Sequence, residues 1–131
     1  MKDETQRWLT YADENLASAK VLLDNGLYNP CLQNVQQAVE KMLKAVLIES
    51  HQRPKKTHSL NELVGILEGK GLKVSLTADE IDLLDSIYLP SKYPLGNVLA
   101  DFEADQALCQ QCVAIADRVR DSVAALLGRE R

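Results

Sequence analysis

Apolar residues return at three- and four-residue steps through most of the chain, and each such run stops at a glycine, a proline or a polar cluster. Between about residues 3 and 25, Trp8, Ala12, Leu16, Ala19 and Leu23 share one helical face, and Gly26 follows as a C-terminal stop. A second helix is predicted from near Tyr28, with Tyr28, Leu32, Val35, Val39, Met42 and Val46 on a stripe that Cys31, Ala38, Leu43 and Ala45 widen. Gln33, Gln37, Glu40, Lys41 and Lys44 make its predicted polar face, where Glu40 and Lys44 have the spacing of a helix ion pair worth roughly 0.2–0.5 kcal/mol. The period breaks over 50–57, SHQRPKKT, which reads as a loop.

A third, shorter helix opens on Ser59-Leu60-Asn61-Glu62, a capping box, carries Leu60, Leu63, Val64 and Leu67 inward, and ends at Gly69 and Gly71. Thr77-Ala78-Asp79-Glu80 is a second capping box and opens a fourth helix through Ile81, Leu84 and Ile87. Pro90 is expected to end it, because proline lacks a donor and crowds the residue before it. Residues 89–101, LPSKYPLGNVLAD, then read as a loop, and loops of that length are usually functional or mobile. A final helix is predicted from about 102 to 127, with Leu108, Cys112, Ile115, Val119, Val123 and Leu126 on one face. Arg118, Arg120 and Arg129 lie toward its C-terminal end, where the dipole favours cations. No strand period competes, so the expected fold is all-α, an up-and-down bundle of about five helices.

A chain of 131 residues supports one hydrophobic core, so a single domain over 1–131 is expected. The formal net charge of -4 argues against a protein that draws its affinity from many Lys and Arg contacts to phosphate. The start, MKDETQRWLTYADENL, carries acids where a signal peptide needs a basic and then apolar run, and no stretch approaches 18 apolar residues. A cytoplasmic protein with no membrane segment is therefore expected. Cys31, Cys109 and Cys112 read as reduced, packed thiols. Cys109 and Cys112 have the spacing of half a zinc site, but no second pair follows, and Cys109 is expected about two turns into its helix, away from the N-terminus that would lower its pKa. No metal and no cofactor are expected.

The charge is uneven along the chain. His51, Arg53, Lys55, Lys56 and His58 concentrate positive charge in one short segment of an otherwise acidic protein, which suits a phosphate, a nucleic acid or an acidic partner. A solvated loop with His58 just outside a helix cap, or a His58 that ties the loop by a hydrogen bond, explains the same residues. Asp79, Glu80, Asp82 and Asp85 are better explained by capping and a wet helix face than by carboxylate catalysis.

The runs YNPCLQNVQQAVEKMLKAVL, KKTHSLNELV and YLPSKYP, in that order, resemble the HEPN domain family, in the branch similar to the C-terminal helical domain of kanamycin nucleotidyltransferase. The resemblance spans roughly residues 5 to 126, with Gln36-Gln37-Ala38-Val39-Glu40-Lys41 and Thr57-His58-Ser59-Leu60 as its most specific parts. It implies a five-helix bundle that often forms homodimers, a role with a nucleotide (ATP- or GTP-like) or RNA, and pairing with a separate small nucleotidyltransferase in toxin–antitoxin or modification systems. Many members are metal-independent ribonucleases whose Arg steadies phosphate while a His four to six residues on handles the proton. Arg53 and His58 have that spacing here but lie in or beside a loop, with Pro54, Lys55 and Lys56 between. In YLPSKYP, Lys92 stands where the family commonly has Arg, keeping the charge without the two-pronged grip on phosphate. Lys92 and Tyr93 nonetheless offer a cation and a stacking ring. The expected function is a non-catalytic binding module with Lys92, Tyr93, Lys55, Lys56 and His58 as binding residues. A ribonuclease toxin using Arg53 and His58, or a purely structural dimeric scaffold, is the alternative.

Overall fold

The computed structural model describes residues 1–53, 56–92 and 103–128, with side chains described for all of these but 89–92. Among them are five helices and no strand: α1 (Asp3–Asp24), α2 (Tyr28–Glu49), α3 (Leu60–Gly69), α4 (Ala78–Lys92) and α5 (Gln106–Leu126). The order and the all-α class are those the periodicity predicts.

The centre of the bundle is α2, which packs against each of the other four helices. From Met42 to Ile48 every residue of it is buried, the mark of a helix enclosed on all sides. Leu43 and Leu47 of α2 join Leu9 and Leu16 of α1, Leu63 and Leu67 of α3, Leu84 and Ile87 of α4, and Ile115 and Val119 of α5 in one core.

Three helices end in the same motif, in which two amides reach back to the last turn. After α1, Gly26 and Leu27 donate to the carbonyls of Leu23 and Leu22; after α3, Gly71 and Leu72 donate to those of Glu68 and Leu67. Gly26 and Gly71 hold the left-handed position at φ 70° and 76°. After α2, His51 and Gln52 donate to Ile48 and Leu47, and here a non-glycine residue, His51, takes the left-handed position at φ 64°.

The Thr77–Glu80 capping box forms as expected, each backbone N–H donating to the other's side chain at 3.0 and 3.1 Å. At α3, Ser59 Oγ accepts from Glu62 N–H, but the Ser59 N–H goes to Thr57 Oγ1. Asp85 of α4 completes that helix start, accepting from the N–H groups of Leu60 and Asn61 at 2.7 and 3.1 Å.

Two boundaries differ from expectation. Helix α4 runs through Pro90 to Lys92. Proline there removes one ladder bond near the helix end, and the remaining bonds carry the backbone past it. Helix α5 begins at Gln106, not near 102, because Asp105 takes an extended backbone and its side chain accepts from Leu108 N–H at 2.8 Å. Among the described residues, no helix is long and apolar enough to cross a membrane.

Candidate functional site

Side chains of four elements converge on the middle of α2. Glu40 and Lys44 sit on the face predicted to be wet, yet their side chains are only 9% and 8% exposed. The reason lies outside α2. Trp8 of α1 brings its ring to 5.7 Å from the Lys44 ammonium, and His58, from the segment before α3, reaches Glu40 from the other side.

Glu40 is surrounded by donors. Its Oε2 accepts from Lys44 Nζ at 2.9 Å, and its Oε1 from His58 Nδ1 at 3.0 Å and from the Gln36 amide at 3.4 Å. Gln36, itself buried, also donates to the backbone carbonyl of His58 at 3.2 Å, so α2 grips this residue by both ring and main chain. A carboxylate paired with an ammonium has no proton to give, so His58 Nδ1 carries a hydrogen and Nε2 is the ring nitrogen that Glu40 leaves for other partners. The His58 ring lies against Tyr88 of α4, centroids 4.9 Å apart and planes 16° apart, and the side chain is 56% exposed. The result is an imidazole fixed at one nitrogen while the ring stays open to solvent. Removing Glu40 would leave a buried ammonium unpaired, which makes the cluster expensive to disturb.

The basic segment does not act as one patch. Arg53 lines a cleft of about 500 Å³ with Lys2, Glu4, Ile48, His51 and Gln52, at the C-terminal end of α2. There Lys2 Nζ donates to the Ile48 carbonyl at 3.1 Å and to His51 Nδ1 at 2.8 Å, while the Lys2 N–H and the Thr5 hydroxyl donate to Glu49 Oε1. These bonds, that of the Lys2 N–H first, hold the Glu49 carboxyl below its ordinary range. Eight residues separate Glu40 from Ile48, roughly 12 Å of helix. Arg53 therefore lies at the C-terminal end of α2 and His58 against its middle, and neither lies in a helix.

Of the other expected binding residues, Lys56 is exposed in a bend. Lys55 and Tyr93 lie outside the described residues, and Lys92 is the last residue of α4, where the sequence predicts a loop, its side chain also outside them. Among the described side chains of YLPSKYP, Tyr88 meets the site. Gln36, Glu40, Lys44, Trp8 and Tyr88 are site residues that the sequence reading does not assign to a site: it puts Trp8 on an apolar helix face and Glu40 and Lys44 on a wet one. The signal for them is a Gln–Glu–Lys row at four-residue steps on a helix otherwise apolar enough to be central.

Cys109 lies in the first turn of α5, not two turns in, since the helix starts at Gln106. Its thiol is nevertheless pushed up to about 12, as is that of Cys112, chiefly by burial. All three cysteines are buried and free, and Cys109 Sγ donates to the Tyr28 carbonyl at 3.5 Å. Among the described residues no group of three or more His, Cys, Asp or Glu side chains is placed to hold a metal ion. Glu80 and Asp85 are both engaged as helix caps, and Glu80 also receives Arg118.

A family model described as the HEPN domain matches residues 5–126. A Methanocaldococcus jannaschii protein named "Putative toxin MJ0605" is 30% identical over 66 residues, 50% of this chain and 49% of that protein, so the match spans about half the length of the relative. Two crystal structures share the fold. TT1696 from Thermus thermophilus superposes with a TM-score of 0.81 at 24% identity, covering 95% of this chain and 99% of the other. ST0689, described as an archaeal HEPN homologue, superposes with a TM-score of 0.71 at 24% identity, covering 95% and 98%.

Proposed function

The chain belongs to the HEPN domain family, and on that premise we propose that it is a non-catalytic module binding a nucleotide or an RNA element at the His58 face. It does so in association with a second copy of itself or with a separate small nucleotidyltransferase. The observation that carries this reading is the anchored imidazole: Glu40 fixes Nδ1, Tyr88 fixes the ring plane, and the exposed ring offers Nε2 to a ligand. A polar group held in place before binding loses little freedom when a ligand arrives. Lys56, exposed two residues before His58, supplies a cation to the same segment.

Thermal unfolding with ATP, GTP and short RNAs tests it. A ligand at 100 times its dissociation constant stabilises the fold by about 2.7 kcal/mol, a shift of several degrees for a domain of this size. The shift is expected in the wild-type protein and lost in His58→Ala. No shift with any of these ligands would remove the binding reading.

One observation favours a second reading, a metal-independent ribonuclease toxin. A carboxylate holding Nδ1–H of an imidazole leaves Nε2 able to accept a proton from a ribose hydroxyl, and one matched relative carries a toxin's name. Against it, the Arg53 cleft is set apart from His58 within one chain. Cleavage of a labelled RNA by the purified protein, abolished in His58→Ala, would replace the first reading with this one.

A further inference from the structure

Trp8 and Tyr11 stand three residues apart and so share a face of α1. With Glu4, Arg7 and Lys41 they line a groove of about 370 Å³ that shares Glu4 with the Arg53 cleft. Trp8 is half-buried and Tyr11 is 55% exposed, so both rings present surface to solvent. Lys41 donates to Asn15 Oδ1 at 2.6 Å, and Asn15 donates in turn to Asn34 Oδ1 at 2.9 Å. That chain of bonds holds the Lys41 ammonium 5.9 Å from the centre of the Tyr11 ring.

The groove therefore presents two aromatic rings with two cations, Arg7 and Lys41, against a single acid, Glu4. Three other clefts lack that set. Those at Arg53 and at Lys73 and Arg118 have cations without an aromatic ring, and the one between Ala17, Val21 and Asn34 has neither. A flat aromatic group joined to an anion fits both halves at once, and that is the chemistry of a base and its phosphate. Trp8 is also linked to the site already described, through the buried Lys44 and Glu40 to His58.

We propose that the Trp8–Tyr11 groove is a base-stacking subsite that takes one nucleotide unit, free or within single-stranded RNA, its base against the two rings and its phosphate toward Arg7 and Lys41. Glu4 leaves an acceptor for an amino group on the base. The inference rests on the binding reading of the His58 face and adds a second contact to it.

Trp8 is the single tryptophan of the chain, so its fluorescence reports the groove directly. Titration with hexaadenylate RNA at low salt is expected to quench it saturably, and Tyr11→Ala and Lys41→Ala are each expected to weaken that titration about ten-fold, the loss of roughly one stacking contact. AMP is the second probe: quenching by AMP at matched nucleotide concentration assigns the groove to a free nucleotide, and quenching by the strand alone assigns it to RNA. Anisotropy of a labelled hexamer, followed in parallel, separates the two sites. Binding by anisotropy that His58→Ala abolishes, with Trp8 emission unmoved throughout, would overturn the groove and leave the His58 face standing. Quenching that survives His58→Ala but fails in Tyr11→Ala would establish the groove without His58. Neither signal with either probe would overturn both.

Discussion

The two histidines of this chain flank one basic segment and meet opposite partners. His51 Nδ1 lies against the Lys2 ammonium and must accept, whereas His58 Nδ1 lies against the Glu40 carboxylate and must donate. The two Nδ1 atoms therefore play opposite roles. His51 accepts there and ties the start of α1 to the end of α2. His58 donates there and leaves Nε2 for whatever approaches. Residue type and local charge are the same at both positions; the neighbouring helix decides which becomes a fastening and which a site.

The sharpest way to break the comparison is to remove the acid. Glu40→Ala leaves the buried Lys44 ammonium without its partner and Gln36 and His58 without an acceptor, and is expected to cost about 3–5 kcal/mol in urea unfolding. Replacing both charges, Glu40→Leu with Lys44→Met, is expected to recover most or all of that loss. A single-variant loss below about 1 kcal/mol would mean that the pair behaves as an exposed one, and the contrast between the two histidines would fall.

Asp85→Ala sharpens the comparison from the other side of His58, since Asp85 holds the first amides of α3. A loss of about 1–2 kcal/mol is expected in the same measurement, with a smaller nucleotide-induced thermal shift as the His58 segment loosens. Smaller again, His51→Gly relieves a left-handed backbone and is expected to raise stability by about 1 kcal/mol, offset in part by the lost Lys2 contact. The same change at His58 relieves no left-handed backbone and would only remove the site.

The finest distinction is in acid. The Glu49 carboxyl, beneath Lys2 and His51, titrates below its ordinary value of 4.5 in the folded chain, chiefly through the Lys2 N–H. Its contribution is therefore complete above the unfolded value and is lost as pH falls through the lower, folded one. Glu49→Gln is expected to flatten part of the stability profile on the acid side and to leave it unchanged near neutrality. Glu80 is lowered in the same sense by Thr77 and Arg118, so some acid-side slope persists in that variant.

Most of the scaffold is legible along the chain. The apolar steps of Ala12, Leu16, Leu43, Leu63, Leu84 and Val119 reflect a local rule, one side of a helix turned to a core, and the Thr77–Glu80 box obeys an equally local one. The site is less legible because its rule is not local. Glu40 and Lys44 read as a wet pair on any helical wheel, and only Trp8, 32 positions before Glu40, and His58, 18 after it, make them dry. The start of α5 escapes for a related reason: the apolar period does not fix where the helix opens, and Asp105 caps rather than continues it. Pro90 misleads in the other direction, since a single missing donor near a helix end does not outweigh the turns already formed.

The Glu40–Lys44 pair has one more consequence, for how the central helix is seated. A helix turns by about 100° for each residue, so a slip of one position along α2 would swing Glu40 away from His58 and Lys44 away from Trp8, their partners outside the helix. Apolar packing by itself tolerates such slips, because one aliphatic group substitutes for another at modest cost. An ionised couple with partners fixed on two sides does not. It acts as a key in its slot, admitting a single rotational setting of α2, and the four helices docked on that cylinder take their alignment from it.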